Sequence, residues 1–141
     1  MAFPFDKNGL LVWQKVTWGS FGQHDNLYTF VIDLETLEQK PIFKVLPTKH
    51  INDDSSKNYY RYTYIKREDL DSLDNVIIKI VRDYASSRKR RINVEYWLLK
   101  DGKSVELKAE RNMRDEKGWF DLVHLPDGRK LRVSRDNVSF V

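Results

Sequence analysis

The chain has 141 residues, of which 40% are hydrophobic, 13% aromatic and 33% charged, with a net charge of +4 and no cysteine. This is a globular rather than a disordered composition, and the lack of cysteine excludes disulfides, thiolate zinc sites and cysteine nucleophiles, so an intracellular, cytoplasmic setting is expected. The start, Met1 to Lys7, holds no apolar run of signal-peptide length, and no later stretch approaches the roughly 20 apolar residues of a membrane span, so a soluble protein with no membrane partner is expected.

Leu10 to Trp18 is rich in Val, Trp and Thr and is closed by Gly19-Ser20-Phe21-Gly22, which predicts a strand and a loop. Leu27 to Leu34 is β-branched and aromatic, and the apolar run resumes from Pro41 to Leu46, predicting a hairpin. Pro47 to Lys57, with Asn52-Asp53-Asp54-Ser55-Ser56, reads as an exposed loop, and Tyr59 to Lys66 as a further strand.

From Arg67 the period changes. Leu70, Leu73, Ile77, Ile80 and Tyr84 recur at spacings of three and four, predicting one amphipathic helix that runs to about Ser87. Glu68, Asp69, Asp71 and Asp74 crowd its start and Arg82, Arg88, Lys89 and Arg90 its end, as the helix dipole favours.

The last third contains two similar segments, Leu99 to Leu107 and Leu125 to Val133, each with an Asp-Gly pair followed by a cation and an alternating apolar tail. Asp-Gly tolerates the positive φ angles of tight strand connections, so each is a hairpin. Strands are expected at about 92–99, 104–111, 118–124, 129–133 and 138–141, with a tight turn at Ser134-Arg135-Asp136-Asn137. Such a set resembles a small five-stranded barrel of the Src-homology or Tudor type, a likeness of fold that implies no function.

Charge divides unevenly along the chain. Residues 1–85 carry 11 Lys/Arg and 12 Asp/Glu, whereas residues 86–141 carry 14 and 9, so the positive excess belongs to the C-terminal part. Two groups lead it: Arg88, Lys89, Arg90 and Arg91 between the helix and the next strand, and Arg129, Lys130, Arg132 and Arg135 on the final hairpin. Adjacent cations can contact successive phosphates, which makes these eight residues the candidate nucleic-acid-binding set. Cations also stabilise a helix C-terminus and protect sheet edges, so a solvated surface explains the same residues.

Tyr60, Tyr62 and Tyr64 share one strand face near Arg61, Lys66 and Arg67, an arrangement suited to stacking single-stranded bases or to packing within a sheet. Of the tryptophans, Trp13 and Trp97 are assigned to the core, while Trp18 and Trp119 stand at loop edges where partner sites also form. His24, His50 and His124 lie far apart, and nothing in their spacing predicts a metal site.

Two carboxylate patterns raise an enzyme reading. Phe30-Val31-Ile32-Asp33-Leu34-Glu35-Thr36 resembles the first acidic motif of the DnaQ-like exonucleases, where an Asp and a Glu two residues apart hold metal ions. Glu106-Leu107-Lys108, with Glu95 or Asp101 nearby, resembles the core of the restriction-endonuclease-like nucleases, and implies a magnesium site on the strand face. The first lacks the further acidic motifs and the late-helix His or Tyr of its family, and Glu38-Gln39-Lys40 repeats the second pattern by composition alone.

The expected fold is α+β: an antiparallel meander with one amphipathic helix over 1–87, then a basic all-β hairpin region over 88–141 that closes a small barrel or extends the same sheet as one continuous domain. The expected function is a small non-enzymatic binding protein that engages DNA, RNA or a nucleoprotein assembly through its basic half, with no cofactor and no metal ligands. A metal-dependent nuclease and a protein-interaction or assembly subunit are the alternatives.

Overall fold

The computed structural model describes residues 9–18, 23–47, 49–54, 60–86 and 88–141; the expected glycine loop at 19–22 and the start of the chain lie outside them. Strand-forming residues dominate these segments, and the described residues form β1 (Gly9–Trp18), β2 (Gln23–Asp33), β3 (Gln39–Pro41), β4 (Lys49–Asp54), β5 (Tyr60–Lys66), β6 (Val76–Ala85), β7 (Arg90–Lys100), β8 (Lys103–Leu107), β9 (Ala109–Asp115), β10 (Gly118–His124), β11 (Lys130–Val133) and β12 (Val138–Phe140). A 3-10 turn at Ile42–Lys44 and a single helical turn, α1 (Arg67–Leu70), interrupt them. The first sheet runs β4-β5-β1-β2-β6-β7-β8 with β3 also on β2, and the second runs β12-β11-β10-β9. Every pairing among the described residues is antiparallel.

The long amphipathic helix expected over 67–87 is not formed. Only Arg67–Leu70 is helical, a turn closes through the Ser72 hydroxyl on the Asp69 carbonyl at 2.6 Å, and Asn75 in the left-handed region (φ 57°) redirects the chain into β6. Val76, Ile77, Ile78, Ile80 and Val81 are β-branched, and such side chains lose rotamer freedom against a helical turn but fit a pleated sheet. The three-and-four spacing arose because β6 is apolar on both faces, and a continuous apolar run satisfies a helical template as readily as a strand. The loop expected over Pro47 to Lys57 likewise contains β4, paired with β5, and the Pro41 to Leu46 run, past Pro41 of β3, forms the 3-10 turn at Ile42–Lys44 in place of a strand.

The C-terminal strands fall where the alternation put them, with one division: the 104–111 run breaks at Lys108 into β8, which belongs to the first sheet, and β9, which belongs to the second. Asp101 and Gly102, both at positive φ (54° and 72°), make the tight β7–β8 connection. The strands β9 to β12 form an open sheet, and β7 and β8 pair within the first sheet, so the barrel is not closed. The β6–β7 pairing extends from Val76 opposite Leu99 to Ala85 opposite Arg90, carrying the first sheet across residue 87.

Two cores lie on opposite faces of the first sheet. On one face Leu27 and Val31 of β2, Val76, Ile78 and Ile80 of β6 and Leu99 of β7 pack with Ile42 and Leu70, with Trp97 half-buried beside them. On the other, Ile32, Ile77, Tyr96 and Leu98 meet Val123, Leu131, Val133 and Val138 of the second sheet. Ile77 and Ile78 are both fully buried, one to each face. At about 1.5–3 kcal/mol per buried aliphatic side chain, β6 alone contributes much of the folding free energy.

Far-UV circular dichroism is expected to show a strand-dominated spectrum. Ile77→Ala and Ile78→Ala are each expected to cost about 2–5 kcal/mol in urea unfolding. An unchanged midpoint for either variant contradicts a strand covered on both sides.

Candidate functional site

Period-two alternation places Tyr28 and Phe30 of β2, Lys79 and Val81 of β6, and Ile92 and Val94 of β7 on the face that meets the second sheet. The second sheet covers only part of that face. Over the remainder the two sheets stand apart around an open cleft of about 710 Å³, whose far wall is Arg111, Asn112, Trp119, Phe120 and the β11–β12 turn. Tyr28 (39% exposed), Ile92 (48%) and Trp119 (63%) are left at its surface. Arg114 lies 5.3 Å from the Trp119 ring centre.

A β-bulge builds the polar end of the cleft. Between the Phe120–Met113 and Leu122–Glu110 pairs, Arg111 and Asn112 stand opposite Asp121 alone, and Asn112 adopts the left-handed conformation (φ 58°) that such bulges use. The extra residue turns donors inward. Buried Asp121 accepts hydrogen bonds from the Tyr96 hydroxyl (2.6 Å), the Arg111 Nε (2.9 Å) and the Asn112 backbone N–H (3.1 Å). Tyr96 belongs to the first sheet and Asp121 to the second, so this bond joins the two layers. Burial, and then the Asp121 carboxylate, push the Tyr96 phenol well above its ordinary pKa.

Gln39 makes a second tie. Its Nε2 donates to the Ser134 and Arg135 carbonyls, both at 3.2 Å, which fixes its Oε1 toward Lys79, whose Nζ donates to it at 3.2 Å. Lys79 Nζ also lies 5.7 Å from the Phe30 ring centre. Burial lowers the Lys79 pKa, Asp121 opposes that shift, and Arg111 adds to it.

The eight cations expected to bind nucleic acid are not brought together. Arg88, Lys89 and Arg91 are exposed around the β6–β7 turn, and Arg90 bonds Asp83 at 3.3 Å. Arg129 pairs with Asp127 at 2.8 Å, lies 4.7 Å from the Phe140 ring centre, and sits beside Lys100 and Asp101. Arg90 and Lys100 mark opposite ends of β7, which at ~3.3 Å per residue places Arg129 about 33 Å from the Arg88–Arg91 group. Lys130 is exposed at the start of β11. Arg132, only 11% exposed in its side chain, forms a two-pronged pair with Asp115 (2.9 and 3.0 Å) and stacks 4.5 Å from the Phe120 ring centre. Arg135 alone of the eight lines the cleft.

The nuclease patterns have structural explanations. The Asp33 carboxylate accepts the backbone N–H groups of Glu35 (2.8 Å) and Thr36 (3.3 Å), an Asp-initiated turn that ends β2. Glu95 accepts from the Trp97 indole at 3.2 Å, and Glu106 is exposed opposite Trp97. Among the described residues no group of three or more His, Asp or Glu gathers as a metal set. His24 meets Asp83 at 3.3 Å and His124 meets Glu110 at 3.0 Å, while the side chains of His50, Trp13, Tyr60, Tyr62 and Tyr64 lie outside those described. No helix among the described residues is long and apolar enough to cross a membrane.

The residues that sequence reasoning missed are Gln39, Lys79, Tyr96, Arg111 and Asp121. Lys79 had a signal, being the lone cation in Val-Ile-Ile-Lys-Ile-Val, and Asp121 interrupts an apolar run in the same way.

Removing the Asp121 carboxylate strands three donors, so Asp121→Ala is expected to cost about 3–5 kcal/mol and Tyr96→Phe about 1.5–3 kcal/mol, by urea unfolding at neutral pH. The Arg132 side chain holds the Asp115 carboxyl below its ordinary pKa, and the Arg129 backbone and side chain do the same for Asp127. A carboxyl lowered in this way contributes stability that is complete above the unfolded value of about 3.9 and is lost as pH falls through the folded one. The melting temperature should therefore drop below about pH 4, and Arg132→Met, which keeps the stem over Phe120, should make that drop shallower.

Compared with known proteins, the chain matches no family model, no curated protein and no solved structure.

Proposed function

We propose that this chain is a non-enzymatic binding protein, an interaction or assembly subunit that holds an extended segment of a partner protein in the cleft between its two sheets. The observation that carries this reading is a cleft edged by strands with open sides. β8 pairs only with Tyr96–Lys100, so Arg90–Glu95 of β7 has β6 on one side and no strand on the other among the described residues. β9 is the edge of the second sheet. An incoming strand can take main-chain hydrogen bonds from such an edge and set alternate side chains against the rings beside it. Exposed Tyr28, Ile92 and Trp119 suit that role, since large aromatic and aliphatic groups at a cleft supply most of the energy of recognition.

The β7–β12 run is read as a small barrel of Src-homology or Tudor type opened along β9. The bend at Lys108, which passes one chain between two sheets, supports this reading. Nucleic acid is the competing ligand, favoured by Arg88, Lys89, Arg91 and Lys130, for which no carboxylate partner is seen among the described residues, and disfavoured by the separation and pairing of the others.

Random peptides of about 12 residues, long enough for a strand, displayed on phage and selected on the full chain test the proposal. Enriched peptides are expected to bind wild type and to lose about tenfold or more in affinity on Trp119→Ala, with little change when Arg88, Lys89 and Arg91 are neutralised. If no peptide is enriched, while single- or double-stranded DNA or RNA binds with a steep salt dependence that those neutralisations abolish, the nucleic-acid reading replaces this one.

A further inference from the structure

Among the described residues three cations line the cleft, and two are accounted for by their surroundings. Arg111 is bonded to Asp121, and Arg135 is exposed on the β11–β12 turn. Among the described residues no carboxylate is hydrogen-bonded to or ion-paired with Lys79, and it does not have full access to water. It is half-buried, its hydrogen-bond acceptor is the neutral Gln39 amide, and its other neighbour is the Phe30 ring. Asp121, the carboxylate that acts on it through space, already accepts three hydrogen bonds from other groups.

A partly desolvated ammonium without a counter-charge is unfavourable, and the burial that lowers the Lys79 pKa is the same effect. An apolar side chain of similar length would fill the position without that desolvation cost, at the loss of one hydrogen bond to Gln39 and the contact with Phe30. The excess of cations over the two carboxylates at the cleft, Asp121 and Asp136, makes the site complementary to an anion.

Register indicates how an occupant would lie. Val81 is two residues along β6 from Lys79 and faces Val94, with Ile92 two residues further along β7. Residues two apart on an extended segment are about 6.6 Å apart and face the same way. We propose that Lys79 anchors an Asp or Glu side chain of the bound segment, and that a large apolar residue two positions away packs on Val81, Val94 and Ile92. This inference rests on the cleft being a peptide site.

The same phage selection on the full chain, followed by titration of individual enriched peptides, tests it. The expected result is an acidic residue two positions from a large apolar one. Replacing that acid by its amide should weaken binding to wild type by about tenfold or more. Lys79→Met should remove the difference between the acid and amide peptides, whereas Lys79→Arg should keep it. Lys79→Met should also keep a cooperative melt well above the temperature of the titration, which separates lost recognition from lost folding.

The acid-to-amide comparison on wild type needs no protein variant, so it decides the matter even where a substitution fails to fold. Peptides that weaken on Trp119→Ala but show no acid preference, or whose preference survives Lys79→Met, overturn the Lys79 assignment and leave the cleft reading standing. Peptides indifferent to Trp119→Ala overturn both.

Discussion

A single strand buried on both faces organises the molecule. β6 lies between β2 and β7, with Ile78 and Ile80 on one side and Ile77 on the other, and each core needs it. A strand in that position must be apolar at consecutive residues, and a sheet that must be covered twice needs two kinds of cover. Leu70 and Ile42, from short helical turns, supply one, and the second sheet supplies the other. The second sheet is too small to cover its whole face, and the cleft is the uncovered remainder.

The two layers are held by more than apolar contact. Tyr96 to Asp121 and Gln39 to the Ser134 and Arg135 carbonyls are directional bonds between the first sheet and the second, and both reach the cleft lining. The bulge at Arg111 and Asn112 makes the first possible. A regular pairing would set one residue against Asp121 and leave its carboxylate short of donors in a buried place, whereas the bulge supplies a guanidinium and a main-chain N–H together.

Much of the architecture could be read from the residues. The C-terminal hairpins were legible because Asp101-Gly102 and Asp127-Gly128 mark turns and the strands flanking the second of them, β10 and β11, alternate between buried and more exposed residues. β6 was not, because burial on both faces removes the alternation that tells a strand from a helix; its β-branched residues were the better guide. The cleft was illegible for a different reason. Its polar members come from β3, β6, β7, β9 and β10, and only pairing register and one bulge, neither encoded in local spacing, bring them together. The basic residues were easy to see, but a run of like charges says nothing about which carboxylates will meet them in space.

The ties across the layers also affect the thermodynamics of the opening they frame. A cleft whose walls are already bonded to one another has little conformational freedom left to lose when it is filled, so the entropy lost on binding falls mainly on whatever enters. Residues such as Val, Ile, Thr and Tyr, whose unbound backbone already favours an extended shape, lose the least. On the proposed peptide reading, the hydrogen bonds of Tyr96 and Gln39 would thereby favour a stiff occupant, a property that no side chain lining the cleft recognises directly.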